Sequence, residues 1–297
     1  MTVARDLYPF EGRFLDLDGV RMHYLDEGPA DADTAVLLLH GNPAWSFYWR
    51  ELVSVLRERH RVVVPDHVGC GLSDKPPASE YPYTLERRIA DLDRLIEHLG
   101  LGSLRLGVHD WGGMIGLSWA VEHPEKIERL LVSNTAAFPL PTGRRIPPSL
   151  RLARTPGLGA LLVRGLNLFS RGAVASCVTH PLSPAVRNAY LEPYDSWAHR
   201  IAVHRFVKDI PLAPGHPAWE RVVRTSERLD LLREVPTLVT WGRRDFVFDD
   251  AFLDEWRRRL PEAQYEIFDD AGHWVLEDAS DEIVPKVAEL FESKEGA

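Results

Sequence analysis

The sequence predicts an α/β fold: a mostly parallel eight-stranded sheet flanked by helices, with a helical segment inserted after the sixth strand. Three observations predict it. Short continuous apolar runs of strand length recur along the chain, and most of them end in a polar or glycine-containing loop. Segments with helical spacing of apolar residues alternate with those runs. Between Phe138 and about Leu229 the alternation stops, and only short helix-like pieces follow one another.

The elements follow in order. Phe14–Leu17 and Met22–Leu25 flank Asp18-Gly19, a hairpin turn signal. Ala35–Leu39 is a buried parallel strand ending at His40-Gly41-Asn42-Pro43, and helical spacing runs from Trp45 to Leu56. Val62–Val64 is the next strand, ending at Pro65-Asp66. A helix runs from Thr84 through Ile89, Leu92, Leu95, Ile96 and Leu99 and stops at Gly100. Leu106–Val108 closes the fifth strand, and Ile127–Val132 is the sixth. Thr237–Thr240 and Tyr265–Phe268 complete the sheet, with helices from about Asp249 to Leu260 and from Ile283 to Phe291. Residues 1–137 and 230–297 therefore form the core, and 138–229 a helical cap with a proline-flanked entry. Extra packing helices with no lid role are the plainer alternative for that segment.

The chemistry is concentrated at Leu106-Gly107-Val108-His109-Asp110-Trp111-Gly112-Gly113. A strand that turns sharply into a helix around one reactive side chain is a nucleophile elbow, and small residues let strand and helix approach closely. Its usual occupant is serine; here it is Asp110. A carboxylate attacking an ester carbonyl would give a high-energy anhydride. Attack on saturated carbon gives an ordinary ester. Asp110 therefore points to alkyl electrophiles: alkyl halides, epoxides or the β-carbon of a strained lactone. An acidic helix cap is the unreactive alternative.

Asp110, Asp245 and His273 each stand just past a strand end, so their loops open on one edge of the sheet. His273 would act as base, oriented by Asp245. Asp249 and Asp250 lie close to Asp245 and could serve as that acid or cap the next helix. Charge developing on a leaving group needs donors. Trp111 offers a backbone N–H and an indole N–H; Asn42 offers a backbone N–H and an amide. Core packing for Trp111 and a local backbone bond for Asn42 are the alternatives. His40 and His109 read as structural. Neither metal-ligand spacing nor a phosphate-cradling glycine loop occurs, so no cofactor is expected.

Composition narrows the setting. Of the 297 residues, 45% are hydrophobic, which suits a full core and excludes global disorder. A net charge of −9 argues against non-specific nucleic-acid binding. Cys70 and Cys177 make no disulfide framework, which fits a reducing compartment. No apolar run reaches membrane-spanning length, and the start at Met1-Thr2-Val3-Ala4-Arg5-Asp6 has no signal-peptide core. A cytoplasmic protein without membrane insertion is expected.

At His40-Gly41-Asn42-Pro43, at Asp66-His67-Val68-Gly69-Cys70-Gly71-Leu72-Ser73-Asp74-Lys75-Pro76 and at His109-Asp110-Trp111-Gly112-Gly113 the chain resembles the haloalkane dehalogenase branch of the α/β hydrolases. The likeness extends over nearly the whole chain. It implies the α/β-hydrolase fold with its order nucleophile, acid, base, and it places Asn42 and Trp111 as the halide-stabilising pair. In some related enzymes the acid follows the sixth strand; that position is near Asn134 here, which carries no charge, so Asp245 is preferred.

A narrower likeness lies in Asn42-Pro43-Ala44-Trp45-Ser46-Phe47-Tyr48-Trp49-Arg50, Ser133-Asn134-Thr135-Ala136-Ala137-Phe138-Pro139-Leu140-Pro141 and Asp270-Ala271-Gly272-His273-Trp274-Val275-Leu276-Glu277-Asp278. These stretches resemble the β-lactone decarboxylases of bacterial long-chain olefin biosynthesis (OleB type). The resemblance implies a cis-β-lactone with two alkyl chains as substrate and a cis-alkene and carbon dioxide as products. It also implies assembly with other enzymes of that pathway. An apolar substrate needs apolar walls, and Leu161, Leu166, Phe169, Val174, Tyr190 and Trp197 are the cap's candidates.

Haloalkane hydrolysis is the first rival: the same nucleophile, with water as second substrate. Epoxide hydrolysis would need phenol donors, and only Tyr190 or Tyr194 could supply them. No arginine follows Asp110 to clamp a small carboxylate substrate, which disfavours fluoroacetate-type chemistry. A binding module that has lost turnover is the rival of a different class, against which the complete set Asp110, Asp245 and His273 argues.

Overall fold

The computed structural model describes residues 5–30 and 34–292. Most of the stretch read for a signal peptide, Met1–Ala4, lies outside the described residues. Eight strands form one sheet: β1 Gly12–Asp16, β2 Arg21–Glu27, β3 Thr34–Leu39, β4 Arg61–Pro65, β5 Ser103–Asp110, β6 Ile127–Thr135, β7 Thr237–Gly242 and β8 Gln264–Phe268. Their order across the sheet is β1-β2-β4-β3-β5-β6-β7-β8. The first two joins are antiparallel and all others parallel. The hairpin forms where Asp18-Gly19 predicts it, with both residues at positive φ.

Both faces of the central strands are buried, as unbroken apolar runs require. Along β3, Leu37 and Leu39 enter one core while Val36 and Leu38 enter the other. Helices α1 (Arg50–Leu56) and α11 (Val275–Glu292) cover the second of these cores. Helices α2 (Leu85–His98), α3 (Trp111–Ala120) and α10 (Asp250–Arg259) cover the first. The Thr84 side chain caps α2 by accepting from the Arg87 amide at 3.3 Å. Helix α11 begins eight residues before the Ile283 start that spacing suggests and kinks at Ala279.

After β6 the chain leaves the sheet through the proline-rich stretch 139–148. Short helices follow: α4 (Pro148–Ala153), α5 (Leu158–Ala160), a π turn at Leu161–Gly165, α6 (Leu168–Ser176), α7 (Pro184–Leu191) and α8 (Ile201–Asp209). Leu150, Ala153, Val163, Tyr194, Val203 and Val207 give this layer a small core of its own. Helix α9 (Trp219–Glu227) differs: it packs beside α3, with Ser118 and Thr225 hydroxyls 2.9 Å apart, and its Val222 joins the core under the sheet.

Candidate active site

Asp110 ends β5 and caps α3 with φ 50° and ψ −124°. A non-glycine residue in this region is strained by about 1–3 kcal/mol, and such strain persists only where the surroundings fix it. Three contacts fix it here. The Thr135 hydroxyl donates to the Asp110 carbonyl at 2.5 Å. The backbone N–H of Trp111 donates to Asp110 Oδ1, and that of Asn42 donates to the same oxygen at 3.2 Å. Two glycines leave room: a Cβ on Gly112 would lie 2.1 Å from the Leu39 carbonyl oxygen, and one on Gly41 would lie 2.2 Å from Asp110 Cβ.

One carboxylate oxygen is thus held by two amides while the other, Oδ2, stands 3.3 Å from His273 Nε2. On its far side the imidazole lies 2.8 Å from Asp245, Nδ1 to Oδ2. Asp245 in turn accepts from the Val247 amide at 2.6 Å and from the Asn134 side chain at 2.9 Å. All three expected residues are therefore brought together, each more than nine-tenths buried. Asp249, weighed as the orienting acid, instead caps α10 by accepting from the Ala251 amide at 3.1 Å and pairs with Arg144; Asp250 is the first residue of that helix. Asp245 alone of the three acids meets His273.

Burial works against a charge on His273, but Asp245 and then Asp110 outweigh it and lift its pKa to about 10. The resting ring is an imidazolium between two carboxylates. His109 is the opposite case: burial, together with the His273 charge, pushes it down to about 3. Neutral, it donates from Nε2 to the His273 carbonyl at 2.8 Å, so its structural reading gains a specific task. His40 is likewise a scaffold residue, donating from Nδ1 to the Gly41 carbonyl and accepting from the His67 amide.

The donor pair divides its groups. The backbone N–H groups of Asn42 and Trp111 are spent on Asp110. One side-chain N–H of Asn42 is directed to the Val203 carbonyl at 3.2 Å. The Trp111 indole N–H has no protein partner among the described residues, and its ring lies 5.1 Å from Phe206. Both residues face a cavity of about 820 Å³ that also holds Asp110 and His273.

The walls of that cavity depart from expectation. Of the six cap residues proposed, only Phe169 lines it. Leu161, in the π turn, and Leu166 and Trp197, in the turns beside it, are about half exposed and face solvent rather than the cavity. Val174 is buried in the core of the sheet's second face, and Tyr190 stacks on Trp274 at 4.3 Å. Apolar wall comes instead from Phe138, Leu140, Ile146, Leu150, Leu168 and Phe248. Neither phenol weighed for epoxide chemistry reaches the site: Tyr190 donates to Glu277 at 2.5 Å and Tyr194 to the Ala44 carbonyl at 3.3 Å.

Asn134 is the residue whose part the sequence hid. Between His109 and Asp110 the β5–β6 register slips, so that His109 faces Ser133 and Asp110 faces Thr135. Asn134 is the extra residue, at φ 31°, and the bulge re-aims its side chain toward β7. There it exchanges hydrogen bonds with both backbone groups of Gly242 as well as reaching Asp245. Its place at the end of the sixth strand was the one available signal.

The α/β hydrolase fold profile matches residues 34–280. A cis-3-alkyl-4-alkyloxetan-2-one decarboxylase of Shewanella oneidensis is 47% identical over 293 residues, 97% of this chain and 91% of that protein. Haloalkane dehalogenase 2 of Mycobacterium tuberculosis is 32% identical, over 98% of both chains. The crystal structure of haloalkane dehalogenase DbeA from Bradyrhizobium elkani superimposes with a TM-score of 0.85 at 26% identity, covering 94% of this chain and 97% of that one. The chain belongs to the α/β hydrolase family, in the branch it shares with the haloalkane dehalogenases and the cis-3-alkyl-4-alkyloxetan-2-one decarboxylases.

Proposed function

We propose that this chain decarboxylates cis-β-lactones, cis-3-alkyl-4-alkyloxetan-2-ones, to cis-alkenes and carbon dioxide through an alkyl ester on Asp110. The observation that carries the reading is the nucleophile: a carboxylate with one oxygen anchored and the other open on an apolar cavity. Sequence similarity favours the lactone over the halide, at 47% identity against 32%.

The steps follow from the residues. Asp110 Oδ2 attacks the saturated β-carbon that bears the ring oxygen, with inversion. The carbon–oxygen bond breaks and its electron pair becomes a carboxylate. The Trp111 indole N–H and the remaining amide N–H of Asn42 receive that charge, where a dehalogenase would hold halide. The bond to the carboxylate then breaks, its electrons form the double bond, and Asp110 leaves with its charge restored. Inversion followed by anti elimination keeps the alkyl chains cis. No water is consumed, so His273 has no need to be a base; its cation beside Oδ2 favours the step in which Asp110 regains charge. The helices after β6 serve as the cap that keeps water out.

The setting that goes with this reading is cytoplasmic, beside the enzymes that build the lactone, because a strained ring is best passed on before it hydrolyses.

One preparation offered a synthetic cis-β-lactone and a bromoalkane separates the readings. The expected result is headspace alkene with carbon dioxide and no solvent oxygen-18 in Asp110. Stoichiometric bromide without alkene from the lactone would assign the chain to the dehalogenases instead.

A further inference from the structure

The helical layer over the cavity is free of acidic side chains from its entry as far as the end of α7. From Phe138 to Leu191 there are seven arginines and no aspartate or glutamate, although the whole chain has 44 acidic residues and a net charge of −9. Arg145, Arg151 and Arg171 are exposed and have no carboxylate partner among the described residues.

Exposed apolar side chains stand among them. Leu152, Leu158, Leu161, Leu166 and Leu168 are 44–54% exposed, and Trp197 is 48% exposed. The leucines lie on or between the consecutive short helices from α4 to α6, and Trp197 lies in the turn before α8. A Cβ on Gly165 would lie 3.1 Å from Leu161 and 3.7 Å from the Trp197 ring, and the Arg164 guanidinium lies 4.5 Å over that ring. The face also opens into the catalytic cavity: Leu168, Arg145 and Arg151 are at once exposed and part of its lining.

A lone exposed leucine means nothing, but a run of them mixed with arginine and tryptophan has the composition of a surface that lies in a lipid headgroup layer. Arginines attract anionic headgroups while leucine and tryptophan enter the acyl boundary. We propose that this face docks on an anionic lipid bilayer with the cavity mouth turned toward the lipid. Charge favours this orientation, since the acid-free segment meets the bilayer and the carboxylates nearest to it are paired, Asp195 with His199 and Asp249 with Arg144. Among the described residues no helix is long and apolar enough to cross a membrane, so docking is peripheral. A two-chain lactone dissolves in lipid rather than water, and a mouth held at the lipid surface takes it without passage through water. That last step rests on the decarboxylase reading; the docking does not.

Flotation of the full chain with vesicles tests it. Vesicles of phosphatidylcholine alone and of phosphatidylcholine with phosphatidylglycerol are compared at low and high salt. Binding is expected to be at least about tenfold stronger on the anionic vesicles and to fall as salt screens the arginines. Leu161→Glu, Leu166→Glu, Trp197→Glu and Arg171→Glu, which lie outside the cavity, should together weaken binding about tenfold or more. The same variant should turn over a short, water-soluble cis-β-lactone at the parent rate, which also shows that it is folded. Absence of binding to either vesicle, or unchanged binding by the variant, overturns the proposal. So does a face whose substitution changes only the oligomeric state or capture by an acidic protein. Vesicle binding by a chain that leaves the short lactone intact upholds the docking and overturns the decarboxylase reading.

Discussion

The side-chain amide of Asn134 donates to Asp245 across 2.9 Å, although 111 residues separate the two in the chain. The same Asp245 oxygen lies 2.8 Å from His273 Nδ1, so the acid is shared between a neutral donor and the imidazolium. Replacing Asn134 with alanine leaves the Gly242 amide without its side-chain acceptor and puts alanine at a positive φ. Stability should fall by about 2–4 kcal/mol in denaturant unfolding, and turnover by about tenfold through a misaligned His273.

The closeness of these two side chains also predicts an exchange. Asp245→Asn removes the carboxylate that holds the His273 cation beside Oδ2 and should cost about 10²–10³ in turnover, the scale of losing one preorganised electrostatic group. Adding Asn134→Asp puts a carboxylate within reach of the same ring and should recover at least about tenfold of that loss. A double variant no better than Asp245→Asn would show that only the β7 loop presents the acid correctly.

The pH profile reports the charge on His273. Its pKa is raised from 6.5 to about 10 in the folded chain, so protonation stabilises the fold. That contribution is complete below pH 6.5 and is lost as pH rises through about 10. The stability difference between the parent and His273→Gln should therefore shrink over that interval. Lactone turnover should stay level through neutral pH and fall near pH 10 as the imidazolium is lost. A rate that climbs with pH instead would mark His273 as a water-activating base.

Gly41 sets the position of the Asp110 carboxylate. A Cβ there would meet Asp110 Cβ at 2.2 Å and Oδ1 at 2.5 Å. Gly41→Ala should push the carboxylate off the Asn42 amide, with kcat lowered about 10²-fold and KM much less affected. Steady-state kinetics with a soluble β-lactone checks the split.

How far the sequence reveals this arrangement depends on the kind of residue. Ala35–Leu39 and Ile127–Val132 are legible as strands because burial on both faces demands unbroken apolar runs, and the elbow is legible because Gly112 has no room for a side chain. Asn134 is not, since one inserted residue in the β5–β6 pairing decides where its amide points, and pattern does not register single-residue slips. The cavity wall fails for a different reason. The short helices after β6 have apolar residues facing a small core, the cavity and the solvent, and spacing alone cannot assign Leu161 to solvent and Leu168 to the cavity rim.

Tyr190 gives the last prediction. Its hydroxyl donates to Glu277, which also receives both terminal nitrogens of Arg50 at 2.5 and 2.9 Å. This buried cluster ties α7 to α1 and α11, away from Asp110. In Tyr190→Phe the carboxylate keeps its two arginine bonds, so the loss is one hydrogen bond to a charged acceptor, about 1.5–3 kcal/mol of stability. Turnover of the lactone should stay within about threefold of the parent at a temperature where both are folded. A phenol acting as proton donor to substrate oxygen would instead cost about 10²-fold or more in kcat with stability unchanged, and paired melting and kinetic measurements on one preparation distinguish the two outcomes.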